Sequence, residues 1–178
     1  MKVLGLVGSP RRGGNTDLLV SAALYGAGSG GHEIEKVYLY DVNVMPCVDC
    51  RGCKKGTFEC VLKDGMKQLY PKLEEADAVI FGTPLYWYGP TAKMKLMLDR
   101  LRPYVVSKKL KGKKALLMVP SEEGADACRC LVCMFELSFT YLEMDIAGKI
   151  LAQAAEKSEV KNHPKILDEA FRMGKTLQ

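Results

Sequence analysis

Three short runs, KVLGLV at Lys2–Val7, AVIFG at Ala78–Gly82 and KALLMV at Lys114–Val119, are apolar along nearly their whole length. A strand exposed on one side alternates apolar and polar residues. Near-continuous runs therefore belong to strands covered on both faces, as in parallel sheets flanked by helices. Two further β-rich runs, Glu33–Tyr38 and Met144–Leu151, bring the number to five. Between the runs, Thr16–Gly28, Met66–Glu75, Thr91–Leu101, Ala125–Leu142 and Pro164–Met173 carry apolar residues at three- and four-residue spacing. That is the pattern of helices with one buried face, and Pro71 is expected to bend the second of them. The alternation predicts an α/β chain with a doubly wound five-stranded parallel sheet and helices on both faces. At 178 residues the chain can bury such a core without disulfides. No repeat, low-complexity tract or linker divides it, so the expectation is a single domain over 1–178 with a cysteine-rich loop at 44–62.

Open parallel sheets bind ligands beyond the C-terminal ends of their strands, where successive connections leave for opposite faces. Three loops occupy that position: GSPRRGGNT (8–16), TPLYWYGPT (83–91) and PSEEGAD (120–126). The first has the chemistry of an anion cradle. Its glycines let backbone N–H groups converge, the following helix adds its positive end, and Ser9, Arg11, Asn15 and Thr16 supply further donors. It lacks both the Gly-Lys-Ser/Thr ending of a nucleoside-triphosphate loop and the Gly-x-Gly-x-x-Gly spacing of a dinucleotide fingerprint. A terminal phosphate monoester fits better. A turn in which Asn15 or Thr16 only caps the helix is the competing reading.

With Gly8-Ser9-Pro10-Arg11 and Gly14-Asn15-Thr16 in place, the loop resembles the FMN-phosphate loop of the flavodoxin-like NADPH-dependent FMN reductases. The resemblance extends through Thr83–Arg100, which is similar to the family's second flavin loop and following helix, including Lys95 and Asp99-Arg100. It implies a flavodoxin-like fold and an FMN site built from Ser9, Arg11, Asn15, Thr16, Thr83, Pro84, Leu85, Tyr86, Trp87, Gly89 and Ser121. The second loop supports this on physical grounds. A flavin ring needs an apolar or aromatic wall and backbone donors, and Thr83–Gly89 offers both. Tyr88 is expected to turn toward a neighbouring subunit, and packing of the aromatics in a core or an interface is the alternative. Glu122 and Glu123 are explained by a helix start.

Four of the seven cysteines fall within fourteen residues, Cys47, Cys50, Cys53 and Cys60, spaced C-x2-C-x2-C-x6-C. Consecutive two-residue gaps suit the corners of a cubane, whereas structural zinc usually draws ligand pairs from two separated knuckles. The run also resembles the compact motif of iron-sulfur flavoproteins, a branch of the same family, which implies a [4Fe-4S] cluster. A thiol loop without metal, lying over the flavin or a subunit interface, is the competing reading. Of the other three, Cys133 is expected to be buried on its helix, and Cys128 and Cys130 are expected not to bind metal.

No nucleophile or acid-base pair stands out, and His32 and His163 are isolated, so no catalytic side chain is assigned. The resemblance implies an FMN-dependent oxidoreductase with NAD(P)H as donor, a small-molecule donor or acceptor or a ferredoxin as partner, and a homodimer or homotetramer. A flavodoxin-like electron carrier and a zinc-binding interaction module are the alternatives. The net charge of +5 is dispersed except at Lys108, Lys109, Lys111, Lys113 and Lys114, a run without interleaved exposed aromatics, so nucleic acid is not expected. No apolar segment has the length of a membrane span. Clustered thiols in a chain that needs no disulfides suggest a cytoplasmic location.

Overall fold

The computed structural model describes residues 1–178. Five strands, β1 (Lys2–Val7), β2 (Glu33–Tyr38), β3 (Ala78–Gly82), β4 (Lys114–Ser121) and β5 (Asp145–Gln153), form one parallel sheet in the order β2-β1-β3-β4-β5. That is the flavodoxin-like doubly wound order. Six helices connect and flank them: α1 (Asn15–Ser29), α2 (Met66–Glu75), α3 (Ala92–Asp99), α4 (Pro103–Ser107), α5 (Arg129–Tyr141) and α6 (Pro164–Lys175). None is long and apolar enough to cross a membrane.

Each central strand divides its side chains between two cores, as period-two geometry requires. Val3, Val7, Ile80, Leu116 and Met118 pack with α1 and α6. Leu4, Leu6, Val79, Phe81, Leu117 and Val119 pack on the other face with Met66, Met94, Tyr104 and Phe135. Each fully buried Leu or Phe stabilises the fold by about 1.5–3 kcal/mol relative to exposure. Gly26 and Gly174 let α1 and α6 meet backbone to backbone. A Cβ on Gly26 would lie 1.9 Å from the Phe171 carbonyl oxygen, and one on Gly174 would lie 1.8 Å from that of Ala23. Gly82 lets α1 side chains lie against the backbone of β3, since a Cβ there would come within 2.3 Å of the Val20 Cγ2 methyl. The start of α1 is thus held close over the ends of β1 and β3.

The structure departs from expectation at two points. The predicted helix over 125–142 begins with a 3-10 turn, Ala125–Cys128, before α5. This sets the inward stripe at Cys128, Leu131, Val132, Phe135 and Phe139, so Cys128 is buried, and Cys133, expected to be buried, is exposed. The short α4 was not foreseen, because five residues are too few to show a period. Helix α2 continues through Pro71.

Candidate functional site

Backbone and hydroxyl contacts draw the three strand-end loops together. The Gly8 N–H donates to the Gly82 carbonyl at 2.7 Å. Thr91 caps α3 with its Oγ1, which also donates to the Gly8 carbonyl at 2.6 Å, and the Thr91 N–H donates to Thr83 Oγ1. Leu85 N–H donates to Pro120 O, and Ala154 N–H to Ser121 O at 2.8 Å. The result is a cavity of about 170 Å³ lined by Ser9, Arg11, Asn15 and Thr16 from the first loop, Pro84, Leu85 and Tyr86 from the second, and Pro120, Ser121 and Glu122 from the third. Ala154, Ala155 and Lys157 close it from the segment after β5, which sequence reading did not foresee. A larger cleft of about 470 Å³ lies elsewhere, between α2, α4 and residues 57–60, and shares no lining residue with this site.

The polar side of the cavity is the start of α1. No side chain caps this helix at Gly14, so its first N–H groups remain free for a ligand. Ser9 Oγ accepts the Arg11 N–H at 3.2 Å, leaving its own proton to donate, and Thr16 is buried in the lining. Asp17 fixes the loop from behind. Its carboxylate accepts the Gly13 N–H at 2.7 Å, Tyr38 Oη at 3.0 Å and Lys36 Nζ at 2.9 Å. Burial alone would lift this carboxyl, but the donors from Gly13, Lys36 and Tyr38 outweigh it and hold the group below the ordinary carboxylate range. The two arginines of the loop part company. Arg12 lies over the Tyr38 ring at 4.0 Å and pairs with Asp41, while Arg11 lines the cavity.

Asn15 lines the cavity, but its side chain is spent elsewhere. Nδ2 donates to the Glu156 carbonyl at 2.8 Å and Oδ1 accepts the Val160 N–H at 3.2 Å. Ser121 donates to the Gly124 carbonyl, closing its own turn. Thr83 is fully buried as a brace for the second loop and lies outside the lining. Trp87 and Gly89 also lie outside it. Tyr86 and Gly89 pair in both directions, Tyr86 N–H to Gly89 O at 2.8 Å and Gly89 N–H to Tyr86 O at 3.0 Å. Trp87 and Tyr88 therefore sit at φ 49° and 60°, the left-handed region that such two-residue turns usually fill with Asn or Gly. Trp87 is 96% exposed.

The cysteine loop is anchored at its neck by Arg100. Its guanidinium donates to the Met45 carbonyl, to both oxygens of Asp64 and, at 3.3 Å, to Cys60 Sγ. Cys53 is buried, Cys60 half-buried, and Cys47 and Cys50 exposed. Burial pushes the Cys53 thiol up, the Cys60 and Cys47 thiols add to this, and Arg102 opposes it. The four sulfurs do not form a ready-made ligand cage. The lysine run is not a bare basic patch. Lys108 and Lys111 pair with Glu143, Lys109 with Glu74 and Lys114 with Asp145, while Lys113 donates to the carbonyls of Glu74 and Ala76.

Known proteins resemble this chain. The chain is 40% identical to an iron-sulfur flavoprotein of Methanocaldococcus jannaschii over 64% of its own length and 58% of the relative's. To an iron-sulfur flavoprotein of Archaeoglobus fulgidus it is 42% identical over 64% of its length and 51% of the relative's. It thus spans little more than half of those relatives. A putative NAD(P)H-dependent FMN-containing oxidoreductase of Bacillus subtilis is 26% identical, with 97% of this chain and 96% of that protein covered. Among solved structures, an NAD(P)H:quinone oxidoreductase from Methanothermobacter marburgensis superposes with a TM-score of 0.73 at 18% identity, covering 100% of this chain and 99% of that one, a likeness of fold. The family model described as NADPH-dependent FMN reductase matches residues 1–156. That match takes in all three strand-end loops and the cysteine loop, and the chain belongs to the NADPH-dependent FMN reductase family, with its likeness to the iron-sulfur flavoproteins marking the branch.

Proposed function

We propose that residues 1–178 form a single FMN-binding domain that acts as an FMN-dependent oxidoreductase with NAD(P)H as a donor. The observation that carries this reading is the cavity at the ends of β1, β3 and β4, where an uncapped helix start and hydroxyl donors face an apolar wall of Pro84, Leu85, Tyr86 and Pro120. The donor set fits a phosphate monoester, and the wall fits one edge of a flavin. When bound, FMN supplies the hydride and electron chemistry. The chain's part is to hold and orient. Ser9, Arg11, Thr16 and the first N–H groups of α1 would take the phosphate, and the loop of Thr83–Gly89 would border the ring. No side chain is assigned a proton-transfer role.

On the cysteine loop we propose a [4Fe-4S] cluster held by Cys47, Cys50, Cys53 and Cys60. Four thiols on one loop are the donor chemistry such a cluster requires. Arg100 and Arg102 lie close enough to offset thiolate charge. A cluster in a chain that also holds a flavin makes one-electron partners, a small molecule or a ferredoxin, the class expected to exchange electrons here. The exposed side chains of Tyr86, Trp87 and Tyr88 at the cavity mouth, and of Leu137 and Tyr141 on α5, favour a homodimer or homotetramer, and clustered thiols in a chain that needs no disulfides favour the cytoplasm.

The test is a titration of the purified chain with FMN and riboflavin, followed by anaerobic NADH and NADPH oxidation assays. Tight FMN binding with weaker riboflavin binding, and turnover with either nucleotide, is the expected result. Tight FMN binding without nucleotide turnover would leave a flavodoxin-like carrier, and absence of flavin binding would overturn the reading altogether.

A further inference from the structure

The cavity has a fourth wall that none of the strand-end loops provides. After β5 the chain passes over the first loop as a strap, and three bonds fasten it there. Asn15 grips it twice, at the Glu156 carbonyl and the Val160 N–H, and Ser158 Oγ donates to the Gly13 carbonyl. The strap also holds its own shape, because Glu159 accepts the N–H groups of Ala155 and Glu156 and the Val160 side chain is fully buried. Between these fastenings stands the exposed Lys157, a residue of the cavity lining together with Ser9, Arg11 and Thr16. Lys157 is the residue directly after the 156 matched by the family model.

Charge bookkeeping around the loop singles out two cations. Arg12 is committed to Asp41, and Lys36 to Asp17. Arg11 and Lys157 take part in no ion pair, and both line the cavity. The one acidic side chain in the lining, Glu122, comes from the loop after β4. A phosphate monoester carries between one and two negative charges near neutral pH, and a helix start supplies only about half a positive charge. Two free cations beside the hydroxyl donors balance such a group.

We infer that Lys157 is a phosphate-binding residue of this site, and that Asn15 is a positioning residue that acts on the phosphate through the strap. The inference rests on the FMN reading and deepens it. Arg11 approaches from the first loop and Lys157 from the strap, so the cradle is a clamp, fastened by Asn15 to Glu156, 141 residues further along the chain. The clamp selects a terminal phosphate, because riboflavin offers nothing to the lysine and a bridging diphosphate presents fewer free oxygens per phosphorus.

Equilibrium titration of FMN and riboflavin against the unaltered chain, Lys157→Met, Lys157→Arg, Asn15→Ala and the Asn15→Ala/Lys157→Met double variant tests this. Lys157→Met is expected to weaken FMN by about tenfold, the scale of one hydrogen bond to a charged group, and to leave riboflavin unchanged. Lys157→Arg keeps most of the FMN affinity. Because Asn15 acts through the strap, the double variant should bind FMN no more weakly than the worse single one, a non-additivity that independent roles would not produce. If the chain binds FMN tightly and Lys157→Met binds it equally well, the inference about Lys157 falls while the FMN reading stands. Additive losses in the double variant would overturn the role given to Asn15. Failure of the unaltered chain to bind FMN would remove the underlying reading and this inference with it.

Discussion

Arg100 and Asp64 form an ion pair in which each side chain is only 1% exposed, with Nη1 2.5 Å from Oδ2. Asp64 also accepts the N–H groups of Met45 and Met66, and Arg100 donates to the Met45 carbonyl, so one buried pair ties both ends of the cysteine loop to the end of α3. Arg100→Met would leave a carboxylate buried without its partner. The expected cost is about 3–5 kcal/mol, with part of it recovered in Arg100→Met/Asp64→Leu, because an apolar pair avoids the stranded charge. Urea unfolding midpoints measure both, and an Arg100→Met variant as stable as the parent would contradict the assignment.

Asp17 makes stability sensitive to acid. Its folded-state pKa is depressed, so its contribution is present above the unfolded value near ~3.9 and is lost as pH falls through the folded value. Asp17→Asn should lower stability at neutral pH, with the gap to the parent closing as pH falls below the unfolded value and through the depressed folded one. Thermal melts from neutral pH to pH 3 check this, and a gap that stays constant across the range would mean that charge at Asp17 plays no part.

The contact between α1 and α6 leaves no room for a side chain. Gly174→Ala would set a Cβ 1.8 Å from the Ala23 carbonyl oxygen, and since the obstacle is backbone the helices must separate. Overpacking typically costs about 1–3 kcal/mol, and backbone displacement places this site at or above the upper end. Gly28→Ala is the control, because a Cβ there meets only Ile34 at 3.5 Å. Melting temperatures should fall for Gly174→Ala alone.

Anaerobic reconstitution with iron and sulfide should give about four of each per chain, as a four-thiolate cubane requires. Cys50→Ala should lose the cluster and keep FMN, because Cys50 lies outside the lining of the flavin cavity. Reconstituted protein that contains zinc, or no metal, would refute the cluster.

Much of this architecture can be read from the chain. The bounds of β1 and β3 follow from apolar runs that end at glycines, those of β2 from a β-rich stretch and those of α2 from helical spacing, and the strand-end loops follow from the order of elements. Local signals carry no further. Asn15 reads as a phosphate donor because its neighbours are, yet its partners lie 141 and 145 residues away. Lys157 is an unremarkable surface lysine until the strap crosses the first loop. Thr83 belongs by position to a flavin loop, but its hydroxyl serves the Thr91 N–H. Cys133 was misplaced because one 3-10 turn shifts the phase of α5.

The tight turn at Tyr86–Gly89 has a practical consequence. Trp87 is the chain's single tryptophan and stands at the tip of that turn, 96% exposed beside the cavity. Its intrinsic fluorescence is therefore a local probe of the cavity mouth and a poor gauge of global unfolding, since the indole is already in water while the protein is folded. Quenching of that emission would follow a ligand or a second subunit arriving at the turn, and denaturation must be followed by circular dichroism or by the buried tyrosine Tyr104.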